Sequence, residues 1–292
     1  MRVNGELLRA AFQGEPGAYS EEAAVRLLGK DVQCVPCSTF ERAFAAVAGG
    51  LADLLVVPIE NSLAGSVLRV YDLLLESELT ITAETVLPIE LHLIACPGAT
   101  LATIRSVESH PMALAQCERL FQAHPEWLRR AAEDTAGSVR AVLTAGDRTR
   151  AALAGRGAAA RYGGIILAAN VQDNSGNFTR FLLLTPQTAA PGCGGDKATL
   201  ALRIAHLPGA LVAALEPLAR HGVSLLKIES RPIHGCPWEY QFFLDIEATS
   251  GAPLEDALAQ VRERAQSMRV LGRYPAARPT PEIAKQALGR SA

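Results

Sequence analysis

Two hydrophobic periods divide the chain. Up to about residue 186, short unbroken apolar runs alternate with longer stretches in which apolar positions recur at helical spacing. The runs LLVVPIE (54–60), LHLIAC (91–96), AALA (151–154) and TRFLLL (179–184) have the length of strands buried on both faces of an α/β sheet. SEEAAVRLLG (20–29) and PMALAQCERLFQAH (111–124) predict helices. A run of Pro, Gly and small residues, PQTAAPGCGGD from Pro186 to Asp196, then reads as a linker. Beyond it the pattern predicts strand (198–205), helix (209–221), two strands (223–231 and 238–248), helix (253–266) and strand (268–273). That order, βαββαβ, is ferredoxin-like. From Ala276 the chain is Pro-rich, then polar, and reads as a tail.

Composition adds mostly exclusions. Apolar residues make up 49% and charged residues 20% of 292, an ordinary globular balance that suits two domains. A net charge of −2 gives no electrostatic case for nucleic acid or an anionic membrane as partner. No apolar run is long enough to span a bilayer. The opening MRVNGELLRAAFQG lacks a signal peptide's apolar stretch and cleavage site, so a cytoplasmic protein is expected. Six cysteines (Cys34, Cys37, Cys96, Cys117, Cys193, Cys236) include one CxxC pair. A zinc site would need a second pair or histidines at ligand spacing, and a redox CxxC would open a helix, whereas VQCVPCSTF reads as a strand end. Ordinary thiols and no metal are expected. P-loop, GxGxxG, GxSxG and HExxH patterns are missing, so no cofactor has an address.

One local event recurs in the first domain: a strand or loop ends, small polar residues follow, and a helix begins. It occurs at GEPGAYSEEAA, PIENSLAGSV, ESHPMALAQC and EDTAGSVRAV. Ser20, Asn61 or Ser62, His110 before Pro111, and Asp134 or Thr135 are the expected caps. Helix N-termini offer free N–H groups and partial positive charge, so several on one cleft would make an anion site. Every helix also needs a cap, and for any one junction taken alone the structural reading is preferred.

FQGEPGAYSEEAA, VVPIENSLAGSV, ESHPMALAQC, DTAGSVRAV and YGGIILAANVQDNSGNFTRFLLL resemble, in order, the blocks of the prephenate dehydratase family. LPGALVAALEPLARHGVSLLKIESRP, WEYQFFLDIEA and VLGRYP resemble that family's ACT regulatory domain. The match covers about residues 9 to 275. One departure is Met112, where the family usually has Gln. No chorismate mutase segment precedes these blocks, so a monofunctional form is expected. The resemblance implies a periplasmic-binding-protein-like catalytic region of two lobes over 8–186, with a cleft between them. A linker (187–196), a ferredoxin-like ACT domain (197–275) and a tail (276–292) would follow. The lobes are expected to divide around 80–90 and 160–170, the chain returning to the first lobe for the TRF strand.

The implied reaction is the decarboxylating dehydration of prephenate to phenylpyruvate. The ring carboxylate leaves as CO2, the hydroxyl leaves as water and the ring becomes aromatic. Orientation, help for the departing hydroxyl and charge stabilisation are then the protein's tasks, and no cofactor is needed. The resemblance assigns the essential hydroxyl to Thr179, with His110 as a candidate proton relay. Asn61, Ser62, Gly65, Ser66, His110, Gln116 and Thr135 are the expected substrate contacts. Strand alternation points Arg180 away from Thr179, so Arg180 is expected to support the site through an ion pair, and Phe181 through packing. The resemblance also implies feedback inhibition by L-phenylalanine at Gly209, Ala210, Leu211 and Val212 together with Glu229, Ser230, Arg231 and Pro232. In that reading the site lies between subunits of a homodimer or homotetramer. Arogenate dehydratase and a non-catalytic two-lobed amino-acid-binding regulatory protein are the alternatives.

Overall fold

The computed structural model describes residues 2–3, 6–187, 194–233, 235–249 and 253–277. The linker's centre with Cys193, and the tail beyond residue 277, lie outside the described residues. The chain divides into two compact units, one formed by residues up to Val70 with Thr85–Leu182, the other by Tyr71–Glu84 with the segment from Leu183.

The first unit opens with a small hairpin, β1 (Arg2–Val3) and β2 (Glu6–Leu7). Its first lobe contains β3 (Arg9–Gln13), α1 (Tyr19–Leu28), β4 (Gln33–Cys37), α2 (Phe40–Ala48), β5 (Leu54–Asn61) and β6 (Gly65–Ser66). β3 pairs in parallel with β4 and β5, and its Ala10, Ala11 and Phe12 are fully buried. Parallel strands covered by helices need such apolar runs, which is why β5 was legible in the sequence. α3 (Leu68–Glu76) and β7 (Leu79–Pro88) come next in the chain, and their segment Tyr71–Glu84 belongs to the second unit.

The second lobe contains β8 (His92–Ala95), β9 (Ser106–Ser109), α4 (Pro111–Ala115), α5 (Glu118–Ala123), β10 (Leu128–Ala131), α6 (Thr135–Ala145), β11 (Arg150–Ala154), α7 (Arg156–Tyr162) and β12 (Ile165–Ala168). Its sheet order is β10-β9-β11-β8-β12, with β8 antiparallel to both neighbours. The chain crosses between the lobes at 89–91 and returns through 169–177. It then re-enters the first lobe as β13 (Phe178–Pro186), next to β5.

Three local expectations are corrected. The segment 111–124 is two helices, broken at Gln116 and Cys117. Asp173, from the returning crossing, causes the break. Its carboxylate accepts the N–H groups of Glu118 (2.7 Å) and Arg119 (3.1 Å), and its own N–H donates to the Gln116 carbonyl (2.7 Å). Ser20 does not cap α1, which starts after Ala18, and the Glu21 carboxylate instead takes the Gly17 N–H. Asn61–Ser62 is not a helix start: Asn61 Oδ1 accepts the N–H groups of Leu63 and Ala64 in a tight turn, and the next helix begins at Leu68.

In the second unit β14 (Lys197–Arg203), α8 (Ala210–Arg220), β15 (Val223–Pro232), β16 (Tyr240–Ala248), α9 (Leu254–Arg264) and β17 (Ser267–Tyr274) give the expected βαββαβ order. The sheet runs β15-β16-β14-β17, and β14 is antiparallel to both partners. Leu200, Leu202, Leu244 and Ile246 from the sheet pack with Ala214, Leu218, Leu254 and Val261 from the two helices. Burying each large aliphatic side chain contributes about 1.5–3 kcal/mol. Gly272 of β17 pairs with Ile81 of β7, and a Cβ there would sit 2.2 Å from the Ile81 carbonyl oxygen, so the strands meet only over glycine. Among the described residues no helix is long and apolar enough to cross a membrane.

Candidate active site

A cavity of about 400 Å³ opens within the first unit, between its lobes. The first lobe contributes Tyr19, Phe40, Asn61, Thr179 and Phe181, and the second His110, Met112, Gln116, Glu133 and Thr135. Asn177, from the returning crossing, lines it as well.

The polar groups form a directed chain that starts at the Asn61 turn. Because Asn61 Oδ1 is held by two backbone N–H groups, its NH2 end must point onward. Nδ2 donates to Asn177 Oδ1 (2.7 Å) and to Thr179 Oγ1 (2.9 Å). Asn177, only 1% exposed, then donates through Nδ2 to Gln116 Oε1 (2.8 Å). The direction is therefore fixed at both ends. Thr179 accepts from Asn61 and keeps its own proton to donate, and Gln116 keeps its NH2. His110 Nδ1 accepts the Met112 N–H (3.2 Å), so a neutral ring carries its proton on Nε2. The recorded partner of Thr179 is Asn61, so a direct His110–Thr179 relay is not formed.

Thr179 and Phe181 share one face of β13 and both line the cavity. Arg180 points the other way and pairs with Glu60 at 3.4 Å, its side chain only 12% exposed. Thr135 opens α6, where Asp134 Oδ1 caps the Gly137 N–H at 2.6 Å. Ser62 closes the turn instead of the cavity: its hydroxyl donates to the Gly176 carbonyl and accepts the Phe178 N–H. Gly65 and Ser66 form β6 against β5 and stand outside the lining. Met112 presents a 45%-exposed thioether to the cavity. Among the described residues no Lys or Arg lines the cavity, whereas Glu133 and Asp134 do.

Sequence reasoning missed Asn177, Tyr19 and Glu133. Asn177 carried a usable signal: it lies two residues before Thr179, on the same side of an extended chain. Tyr19 and Glu133 had none.

Cys34 and Cys37 lie within strand β4, and burial pushes both thiols up, Cys34 to about 11 with Glu21 adding to it. Burial, followed by Asp173, pushes the Cys117 thiol up to about 12. Among the described residues no cluster of three or more His, Cys, Asp or Glu could hold a metal.

In the second unit, Gly209 precedes α8 at φ 80°, a backbone position that favours glycine, and Ala210, Leu211 and Val212 form the first turn. Leu211 borders a cavity of about 350 Å³ with His206, Pro208, Tyr240 and Phe242. Glu229, Ser230, Arg231 and Pro232 end β15. Arg231 is held by both Asp72 oxygens (2.9 and 3.2 Å), and Glu229 lies 3.9 Å from Lys227.

The family described as prephenate dehydratase matches residues 10–189. The chain belongs to the prephenate dehydratase family. Arogenate dehydratase 3 of Arabidopsis thaliana is 40% identical over 291 residues, covering 94% of this chain and 68% of that protein. The solved prephenate dehydratase of Arthrobacter aurescens, in complex with L-Phe, is 31% identical with a TM-score of 0.83, covering 97% of each chain. A solved structure of GqqA, described as a novel type of quorum quenching acylase, is 37% identical with a TM-score of 0.84, covering 93% of this chain and 98% of that one. Family membership makes this chain an enzyme of the dehydratase kind, a lyase of aromatic amino acid biosynthesis.

Proposed function

We propose that the cavity takes prephenate and converts it to phenylpyruvate, carbon dioxide and water. The observation that carries this reading is the directed chain Asn61–Asn177–Gln116 with its branch to Thr179, which leaves hydrogen-bond donors facing the cavity. The leaving hydroxyl needs a donor as its C–O bond breaks, and the Thr179 O–H supplies it. Electrons from the ring carboxylate bond move into the ring as CO2 departs. The hydroxyl takes up one proton from solvent, delivered through Thr179, and leaves as water, so one proton is consumed per turnover. Gln116 NH2, His110 Nε2 and the N-terminus of α6 serve the substrate carboxylates. Arg180 acts indirectly, by holding Glu60 beside the Asn61 turn.

Arogenate is a second reading favoured by a specific observation: among the described residues the lining holds two carboxylates and no Lys or Arg. Arogenate carries an ammonium where prephenate carries a keto group, and Glu133 is the group to meet it. Each substrate is incubated with the enzyme, with phenylpyruvate read by ultraviolet absorption and phenylalanine by amino acid analysis. Turnover of neither overturns the dehydratase reading. A parallel acylase assay covers the activity named for GqqA.

Feedback by phenylalanine fits the Gly209 turn, whose N–H groups suit a carboxylate, and it parallels the L-Phe complex of the Arthrobacter enzyme. A homodimer or homotetramer with the effector at the subunit interface, in the cytoplasm, completes this reading. A Cβ at residue 209 meets no atom within 4 Å, so Gly209→Val adds backbone strain without a clash. Basal activity is expected to persist and inhibition to disappear. Undiminished phenylalanine binding in that variant, measured by calorimetry, would remove the turn from the effector site.

A further inference from the structure

The loop Gly14–Tyr19 belongs to the first lobe, yet it also reaches the second lobe and the crossing between them. Tyr19 is the first residue of α1, and α1 packs on the first-lobe sheet. Its hydroxyl nevertheless donates to the Glu90 carbonyl at 2.5 Å. Glu90 sits at the middle of the outgoing crossing. On either side of it the two crossings are tied together: Ile89 N–H donates to Asn177 (2.8 Å), Val171 N–H to Leu91 (2.8 Å), and Leu91 N–H to Gln172 Oε1 (2.9 Å). The Tyr19 ring lies over Gly155, at the foot of α7 in the second lobe, where a Cβ would come 3.0–3.1 Å from the ring atoms.

The same loop touches α7 through backbone alone. A Cβ on Gly17 would fall 2.7 Å from Ala158 Cα, and one on Gly157 would fall 3.2 Å from the Gly17 carbonyl oxygen. At φ 89° Gly17 also holds a conformation that other residues resist. At the outer end of the loop, Glu15 pairs with Arg140 of α6 at 3.0 Å. Contacts this close across two separately built lobes fix one inter-lobe arrangement, and Tyr19 lines the cavity that this arrangement creates.

We infer that Tyr19 is a positioning residue for the dehydratase reaction, a latch that joins the first lobe to the hinge and to the second lobe and so sets the closed cleft. Its phenol contributes shape and a hydrogen bond to the scaffold, not chemistry to the substrate. Burial, then the carboxylates of Glu22 and Glu90, push the hydroxyl up, so it remains a donor through neutral pH. Weakening the latch lowers the fraction of molecules in the closed, binding-competent form, and apparent affinity falls by that fraction while bound substrate still reacts at the normal rate.

The test is Tyr19→Phe, which keeps the ring and removes the hydroxyl. KM is expected to rise, by up to about 5- to 10-fold, with kcat near the wild-type value, the ceiling being the loss of one hydrogen bond from a two-state equilibrium. Hydrogen exchange, which does not depend on the substrate's identity, should quicken by about tenfold in peptides covering 86–93 and 169–177, and stay unchanged in β9 and β11. Arg140→Gln should shift both readouts the same way by less. Wild-type KM and hinge exchange in Tyr19→Phe overturns the inference. So does a uniform rise in exchange across the unit, which would mean general destabilisation. A fall in kcat with KM intact also overturns it, by making Tyr19 part of the chemistry.

Discussion

In the first unit the buried polar groups around Thr179 are neutral, run in one direction and end on a cavity. In the second unit those around Lys197 are ionic and end on each other. Lys197 Nζ donates to both Glu84 oxygens at 2.8 Å, and the two side chains are 8% and 2% exposed. Beside them Thr199 bonds Asp245 (2.7 Å) and the Tyr274 hydroxyl (2.6 Å). The first arrangement leaves donors unspent where a ligand can use them. The second closes on itself and can only hold the fold. Burial and polarity alone therefore do not mark a site; what marks it is where the unspent hydrogen-bonding capacity points.

The largest effect expected from breaking this contrast is on stability. Lys197→Met should cost about 3–5 kcal/mol, because Glu84 is left as a buried charge without its ammonium. Replacing Glu84 with Gln in the same chain should recover part of the loss, since the uncompensated charge is then gone. Denaturant unfolding monitored on the second unit measures both. Turnover per folded molecule should stay near wild type, and a loss of kcat would mean that the ionic network reaches the chemistry.

Thr179→Val reverses the pattern. It keeps the branched shape and removes the proton donor, so turnover should fall on the order of 10²-fold or more, equivalent to about 2.7 kcal/mol of barrier. Stability should change by only about 1 kcal/mol, because Asn61 keeps Asn177 as a partner. KM should move little if the hydroxyl acts mainly in the transition state. Near-normal turnover in a folded Thr179→Val protein would remove Thr179 from the mechanism.

The contrast also shows what could be read in advance. β5 and β13 were legible because a strand buried on both faces leaves an unbroken apolar run, and the βαββαβ order followed from period alone. Alternation along β13 correctly separated Thr179 from Arg180. The role of Thr179, however, came from family resemblance, since a threonine at a strand entrance has no signature of its own. Asn61 was misread because an Asn that holds a tight turn and one that caps a helix use the same side-chain oxygen on the same N–H groups. The break at Gln116 was invisible locally: the carboxylate that imposes it is Asp173, 55 residues away from Glu118. That break matters for the site, because it brings Gln116 to Asn177.

A smaller effect sharpens the comparison at the cavity itself. Glu133 is exposed, so its attraction for a substrate ammonium is screened and amounts to about 0.2–1 kcal/mol. Glu133→Gln should lower kcat/KM for arogenate relative to prephenate by a factor of about 5 at most. An unchanged ratio would separate Glu133 from substrate choice.

A last, pH-dependent effect concerns a buried group that belongs to neither network. His92 of β8 is fully buried, and its Nδ1 accepts the Asn170 N–H at 3.1 Å, which puts the proton of the neutral ring on Nε2. Burial, then Arg156, lowers its pKa from the ordinary value, while Glu90 acts the other way. Below about pH 6.5 the unfolded chain takes up a proton at this residue that the folded chain resists. Stability therefore falls as pH drops through that value, with a slope of at most about 1.4 kcal/mol per pH unit for one group. It levels once the folded form is protonated as well. His92→Asn keeps an acceptor near the Nδ1 position and carries no titrating ring. That variant should be less stable than wild type at pH 7.5, through lost packing, but should lose less on going to pH 5.5. Denaturant unfolding at the two pH values gives the comparison, and equal acid losses in the two proteins would assign the sensitivity to other groups.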